Sequence, residues 1–179
     1  MTRLLAPALV LLLLAGCSGG EEAKAPAEPQ APDRGASCEV CGMTVVDYPG
    51  PKGQIWLKGD NAPMHFCSTR DLFAYLLEPD SPQPHRIRAI YVHDMGQTDW
   101  AKPHAGTEHW VAAREAFYVV GSDRKGAMGP TLASFAERAA AASFRDQHGG
   151  RILRFPAIDR SLVVDLPTGP NRGPGRTGP

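Results

Sequence analysis

The sequence carries no excess of either charge: nineteen Lys and Arg balance nineteen Asp and Glu over 179 residues. The basic side chains are scattered, with no run and no interleaved aromatics, which excludes nucleic acid as a partner. No apolar stretch reaches the roughly 20 residues that a membrane-spanning helix requires. Cysteine is scarce, at four residues, which excludes a dense disulfide framework of the kind found in small secreted domains. Proline and glycine are plentiful, at 17 and 19, but they crowd toward the two ends. Packed structure is therefore confined to the middle of the chain.

The N-terminus reads as a targeting segment. Met1-Thr2-Arg3 is a short positive region, and residues 4–14 are apolar but too short to span a bilayer. The run ends in Leu14-Ala15-Gly16-Cys17, which resembles the lipobox of bacterial lipoproteins. On that reading residues 1–16 are a signal peptide and the Cys17 thiol carries lipid. Two or more acyl chains then anchor the protein stably to a membrane on the periplasmic side. Ser18, rather than an acid, after the cysteine leans toward the outer membrane. Residues 17–36, with Pro26, Pro29 and Pro32 among Ala, Glu and Gln, read as a flexible tether. Residues 167–179, rich in Gly, Pro and Arg, read as a disordered tail. A folded region of residues 37–166 remains.

Two short stretches concentrate the sulfur. Cys38-Glu39-Val40-Cys41-Gly42-Met43 holds two thiols and a thioether, and Met64-His65-Phe66-Cys67 adds one of each. With Cys17 acylated, three cysteines are left. An odd count does not suit disulfides alone: a Cys38–Cys41 bridge leaves Cys67 single. Thiolates beside thioethers form the ligand set of a soft metal, and Cu(I) is the first candidate.

Coarse periodicity places these residues. Residues 43–47 read as a short strand stopped by Tyr48-Pro49-Gly50-Pro51, and residues 54–58 and 62–66 as two more. Ser68 or Thr69 caps a helix whose Leu72, Phe73, Leu76 and Leu77 share a face. A strand over residues 87–92 follows, then a loop over residues 93–106. The second half repeats the order: strands at 110–113 and 116–120, a tight loop at 126–130, a helix capped by Thr131 and running to about Gln147, and strands at 152–155 and 162–166. The fold class is α+β, with two small ββαβ units of about residues 37–95 and 107–158 packed together.

Cys67, just before the first helix, gains from the helix N-terminus, which favours the thiolate that binds metal. Gly42 permits a tight turn that brings Met43 toward Cys41. Met64 and His65 alternate along a strand, so only one of them faces Cys67. Met95 and Met128 lie in glycine-flanked loops with little packing reason for a thioether. His104, His109 and His148 read as ordinary polar residues.

At this point the motifs resemble those of the NosL family. The residues that carry the likeness are the Cys38–Met43 stretch, Phe66-Cys67-Ser68, residues 91–96, residues 116–122, Gly126-Ala127-Met128-Gly129 and His148-Gly149-Gly150, together with the lipobox. The resemblance implies a Cu(I) metallochaperone and not an enzyme. Its partners would be nitrous oxide reductase, whose multi-copper centre it supplies in denitrification, and a membrane maturation complex of transporter and periplasmic partner. It further implies a fold similar to an organomercurial lyase domain, with Cys41, Met43, Cys67 and Met128 as copper ligands and Cys38 beside them. Two rivals stand next to it. One is a structural zinc module using Cys38, Cys41, Cys67 and His65. The other is a thiol-disulfide oxidoreductase using Cys38 and Cys41.

Overall fold

The computed structural model describes residues 27–103 and 109–166. The signal peptide, Cys17, residues 17–26 of the expected tether, His104 and the tail over residues 167–179 lie outside the described residues.

Two units with the same wiring form the domain. In the first, β1 (Gly53–Leu57) is central, flanked by β2 (Met64–Phe66) and β3 (Ile87–His93), with α1 (Thr69–Leu76) between β2 and β3. In the second, β5 (Phe117–Val120) is central, flanked by β8 (Ala133–Phe135) and β9 (Arg151–Arg154), with α2 (Arg138–His148) between those two. All four central pairings are antiparallel. The duplicated ββαβ order read from the sequence is thus the architecture.

Several elements differ from the expectation, each for a tertiary reason. Residues 43–47 do not form a strand. Thr44 makes only an isolated bridge to Ser37, and Val45–Asp47 is a 3-10 turn. No sheet edge is presented there, so the β-branched Val45 instead fills a small core with Cys38 and Cys67. β4 (Trp110–Ala112), expected in the second unit, extends the first sheet along β3. Thr131 does not cap a helix: Ala133–Phe135 pairs with β5, and α2 starts only at Arg138. Thr131 Oγ1 meets Thr69 Oγ1 at 2.9 Å instead. Residues 162–166 are not a strand. They belong largely to α3 (Arg160–Val164), whose cap Asp159 accepts from the Leu162 amide at 2.8 Å. The tight loop at 126–130 is a two-residue hairpin, β6 (Lys125–Gly126) to β7 (Gly129–Pro130), turning on Ala127 and Met128.

Residues 27–36 also differ from a free tether. Gln54 on β1 is wholly buried and needs amide partners. Gln30 supplies them, donating its amide N–H to Gln54 Oε1 at 3.1 Å and accepting from Gln54 Nε2 at 2.8 Å. Tyr91 Oη donates to the Ala27 carbonyl at 2.6 Å. The strap therefore lies along the first sheet, satisfying a buried polar side chain that composition alone does not reveal.

One core joins the two units: Ile55, Phe66, Leu72, Phe73, Tyr118 and Leu132 are all fully or almost fully buried in it. Phe73 is its pivot. Its ring meets Tyr118 edge-on and Phe155 at a tilt, each at 5.2 Å between centroids. Truncating it removes two aromatic contacts that tie the first unit to the second. Phe73→Ala is expected to lower stability by about 3–5 kcal/mol, read as a drop in the urea midpoint with fluorescence and circular dichroism still transiting together. A change within about 0.5 kcal/mol, typical of surface sites, contradicts the shared core.

Candidate metal centre

The centre is assembled from three backbone devices. The first is the turn over Cys38–Gly42. The Gly42 amide donates to the Cys38 carbonyl at 2.8 Å, and the Cys38 amide donates to the Met43 carbonyl at 2.9 Å. Gly42 closes the turn with φ of +70°, a left-handed conformation that favours glycine. The second is the edge of β2, where Cys38 bridges His65 and the Glu39 amide donates to the His65 carbonyl at 3.0 Å. This brings the turn to the end of the strand that leads into Cys67. The third is the cap of α1, where Ser68 Oγ accepts from the Asp71 amide at 3.1 Å. Cys67 thus lies just before the cap, and Asp71 returns one helical turn later beside it.

The result is a cluster of three thiols and one carboxylate. The Sγ atoms of Cys38, Cys41 and Cys67 and an oxygen of Asp71 lie within 4.8 Å of one another. Cys41 and Cys67 are 3.3 Å apart. Asp71 Oδ2 is 3.0 Å from Cys67, 3.7 Å from Cys38 and 3.8 Å from Cys41. Cys38, Cys67 and Asp71 are buried, while Cys41 is only partly so and forms the open side. Ala127, in the hairpin turn of the second unit, packs against the cluster.

Lys52 balances the local charge from behind. It is 1% exposed, and its Nζ donates to the carbonyls of Tyr48 at 2.6 Å, Pro49 at 3.1 Å and Cys67 at 3.0 Å. Burial lowers its pKa to about 8, against the pull of the nearby thiols and Asp71.

The protons are unevenly shared. Cys38 is lowered to about 5, chiefly because the Cys67 thiol donates to it, with backbone amides adding to the effect. Cys67 is pushed up, first by that same donation to Cys38, then by burial and by its hydrogen bond to Asp71. Cys41 is raised by burial, although the Met43 amide opposes this. The helix N-terminus by itself favours the Cys67 thiolate. Here the adjacent Cys38 and Asp71 outweigh the helix, and Cys67 keeps its proton.

The other sequence candidates divide. Met43 borders the cluster through its backbone and is itself half-buried. Met128 is 48% exposed at the hairpin tip, one residue from Ala127. Met64 turns the other way, its Sδ accepting from Tyr75 Oη at 3.7 Å beside the main core. Met95 is buried in a separate core against Val119, Phe135 and Ala141. His65 touches the cluster only by its main chain, and burial lowers its pKa. His65 is not part of the group that the rival Cys₃His zinc set requires; Asp71 holds the fourth place. His148 pairs with Asp123 at 3.0 Å on the surface. The sequence places Asp71 only in the first turn of the helix, and neither Asp71 nor Lys52 is among its candidate site residues. For Asp71 a signal existed, because a residue four positions after Cys67 returns to the same side of a helix. For Lys52 there was none.

Comparison with known proteins gives a consistent set of matches. The NosL family profile matches residues 29–163. The copper-binding lipoprotein NosL of Stutzerimonas stutzeri is 43% identical over 169 residues, covering 91% of this chain and 85% of the relative. That of Achromobacter cycloclastes is 38% identical over 165 residues, covering 90% and 82%. The crystal structure of the copper chaperone NosL from Shewanella denitrificans superposes with a TM-score of 0.68 at 43% identity, over 74% of this chain and 96% of that one.

The cap that sets Asp71 against Cys67 is open to test. Ser68→Ala is expected to cost about 1 kcal/mol, the usual worth of an N-cap hydroxyl, measured by chemical denaturation. Ser68→Thr is expected to retain most of that stability. Equal losses in both variants contradict a capping role.

Proposed function

The chain belongs to the NosL family, and from that premise we propose that it is a metallochaperone whose cargo is Cu(I), delivered for the multi-copper centre of nitrous oxide reductase. One observation carries the reading: three thiols converge within 4.8 Å, with one of them only partly buried. Sulfur at this density selects a soft cation and disfavours hard ones.

Cys41, Cys67 and Cys38 supply the thiolates in this proposal. Met43 and Met128 are the thioethers close enough in the chain to join them, Met43 two residues after Cys41 and Met128 next to Ala127, which packs on the cluster. Met64 and Met95, held in the two cores, are left out. The Asp71 carboxylate orients Cys41 and Cys67 by hydrogen bonding rather than ligating the soft ion. A chaperone must also let go. Cys41 on a glycine-closed turn and Met128 on a hairpin tip give an incoming ligand from a partner a route to the ion, while the buried Cys67 and Cys38 hold it until exchange. Binding and release require no turnover, so the reading includes no catalysis. Its partners are nitrous oxide reductase and its membrane maturation complex, and its place is the periplasmic side of a membrane, held through an acylated Cys17. The lipoprotein names of the relatives support that anchor.

Cys41→Ser is expected to abolish stoichiometric Cu(I) binding in anaerobic competition with bicinchoninate. Wild-type affinity in this variant overturns the site.

The proton distribution sets a pH dependence. Cys67 and Cys41 are raised and hold their protons at neutral pH. Copper must displace them, so apparent Cu(I) affinity is expected to increase with pH between 6 and 8. The slope is about tenfold per pH unit for each proton displaced. Below about pH 5 Cys38 also protonates and the slope steepens. A flat profile from pH 6 to 8 contradicts thiol ligation.

A further inference from the structure

The spacing of the thiols fits a second chemistry. We propose that Cys41 and Cys67 form a reversible redox pair, a modification site whose substrate is a protein or low-molecular-weight disulfide, and that their oxidation closes the centre to copper. The effect on copper rests on the Cu(I) reading above; the disulfide itself does not.

Three observations carry it. The two sulfurs are 3.3 Å apart, so a bond of about 2.0 Å requires an approach of roughly 1.3 Å. Access is asymmetric: Cys41 is partly exposed, whereas Cys38 is 3% and Cys67 0% exposed. An external disulfide therefore meets Cys41 first. Finally, the two thiols sit on supports of different kinds. Cys41 precedes Gly42, beside which the position of a Cβ has no atom within 4 Å, while Cys67 is fixed between β2 and the Ser68 cap. The C-x-x-C spacing suggests Cys38 and Cys41 as the redox pair. The fold points instead to a link between the turn and the strand–helix junction, 26 residues apart.

The step balances as thiol–disulfide exchange. Cys41, on losing its proton, attacks one sulfur of R–S–S–R, forming Cys41–S–S–R and releasing one R–S⁻. The Cys67 thiolate attacks the Cys41 sulfur, forming the Cys41–Cys67 bond and releasing the second R–S⁻. The two protons of the pair pass to the two released thiols. Two electrons leave the cysteines and reduce the external disulfide. A dithiol reverses the sequence. In the oxidised form Cys38 is the single remaining thiol of the cluster, and the ligand set is broken.

The test uses the metal-free, fully reduced chain with oxidised glutathione as probe. The reaction is stopped with iodoacetamide, and peptides are mapped by tandem mass spectrometry. The expected product joins Cys41 to Cys67 with Cys38 carbamidomethylated. A Cys38–Cys41 or Cys38–Cys67 link, or three alkylated thiols, overturns the pair. Because the map is read on the unaltered sequence, it needs no variant to fold. Loading one equivalent of Cu(I) beforehand is expected to slow the cross-link by about tenfold or more, since ligated thiolates cannot attack. An unchanged rate overturns the gating. A chain that forms the link yet binds no Cu(I) fails the copper reading alone.

Discussion

A single carboxylate oxygen within reach of three sulfurs organises this molecule. Asp71 Oδ2 lies 3.0 Å from Cys67 and within 3.8 Å of Cys38 and Cys41. Cys41 and Cys67, which keep their protons, can donate to it, and this shared acceptor sets their directions before any ion arrives. That oxygen is in turn placed by the Ser68 cap, and the cap by the change from strand to helix after Cys67. Lys52, donating to the Cys67 carbonyl and to the turn at Tyr48 and Pro49, keeps the same junction from the opposite side. The centre thus depends on one strand–helix junction more than on any cysteine motif.

The duplicated architecture explains why such a junction is available and open. Each unit runs from a flanking strand into a helix. In the first unit that passage carries Cys67. In the second, the β6–β7 hairpin precedes β8 and lays Ala127 on the cluster. The hairpin is held by Trp100 Nε1 donating to the Lys125 carbonyl, and by the close approach of Gly50 to Gly126, where a Cβ on Gly50 would stand 3.0 Å from the Gly126 Cα. The first unit therefore supplies the thiols and the second a lip beside them, so that packing of the two units and shape of the site are one property.

Much of this was legible in the sequence. Alternation at β1, the apolar face of α1 and the Ser68 cap are local signals, and local signals sufficed for the ββαβ order. Cys38, Cys41 and Cys67 stood out because an odd thiol count demands a use. What was not legible depends on partners distant in sequence. Ala133–Phe135 followed a good helix-capping residue, yet the free edge of β5 drew it into a sheet. The strap at residues 27–36 has a tether's composition, and only the buried Gln54 explains why it is bound. Met95 and Met128 sit in similar glycine-flanked contexts, and burial alone separates them: one fills a core and the other stands exposed at the hairpin tip, one residue from Ala127. The ionisation order of Cys38 and Cys67 was likewise hidden, since it follows from their contact with each other and not from the helix end.

The central claim is that a sulfur cluster around Cys41 and Cys67 receives one soft ion. X-ray absorption at the copper edge of the anaerobically loaded, full-length protein tests it most directly. The account predicts one Cu(I) per chain with a low-coordinate shell made of sulfur. A shell dominated by nitrogen or oxygen, or copper held equally well after Cys41 and Cys67 are both alkylated, contradicts it.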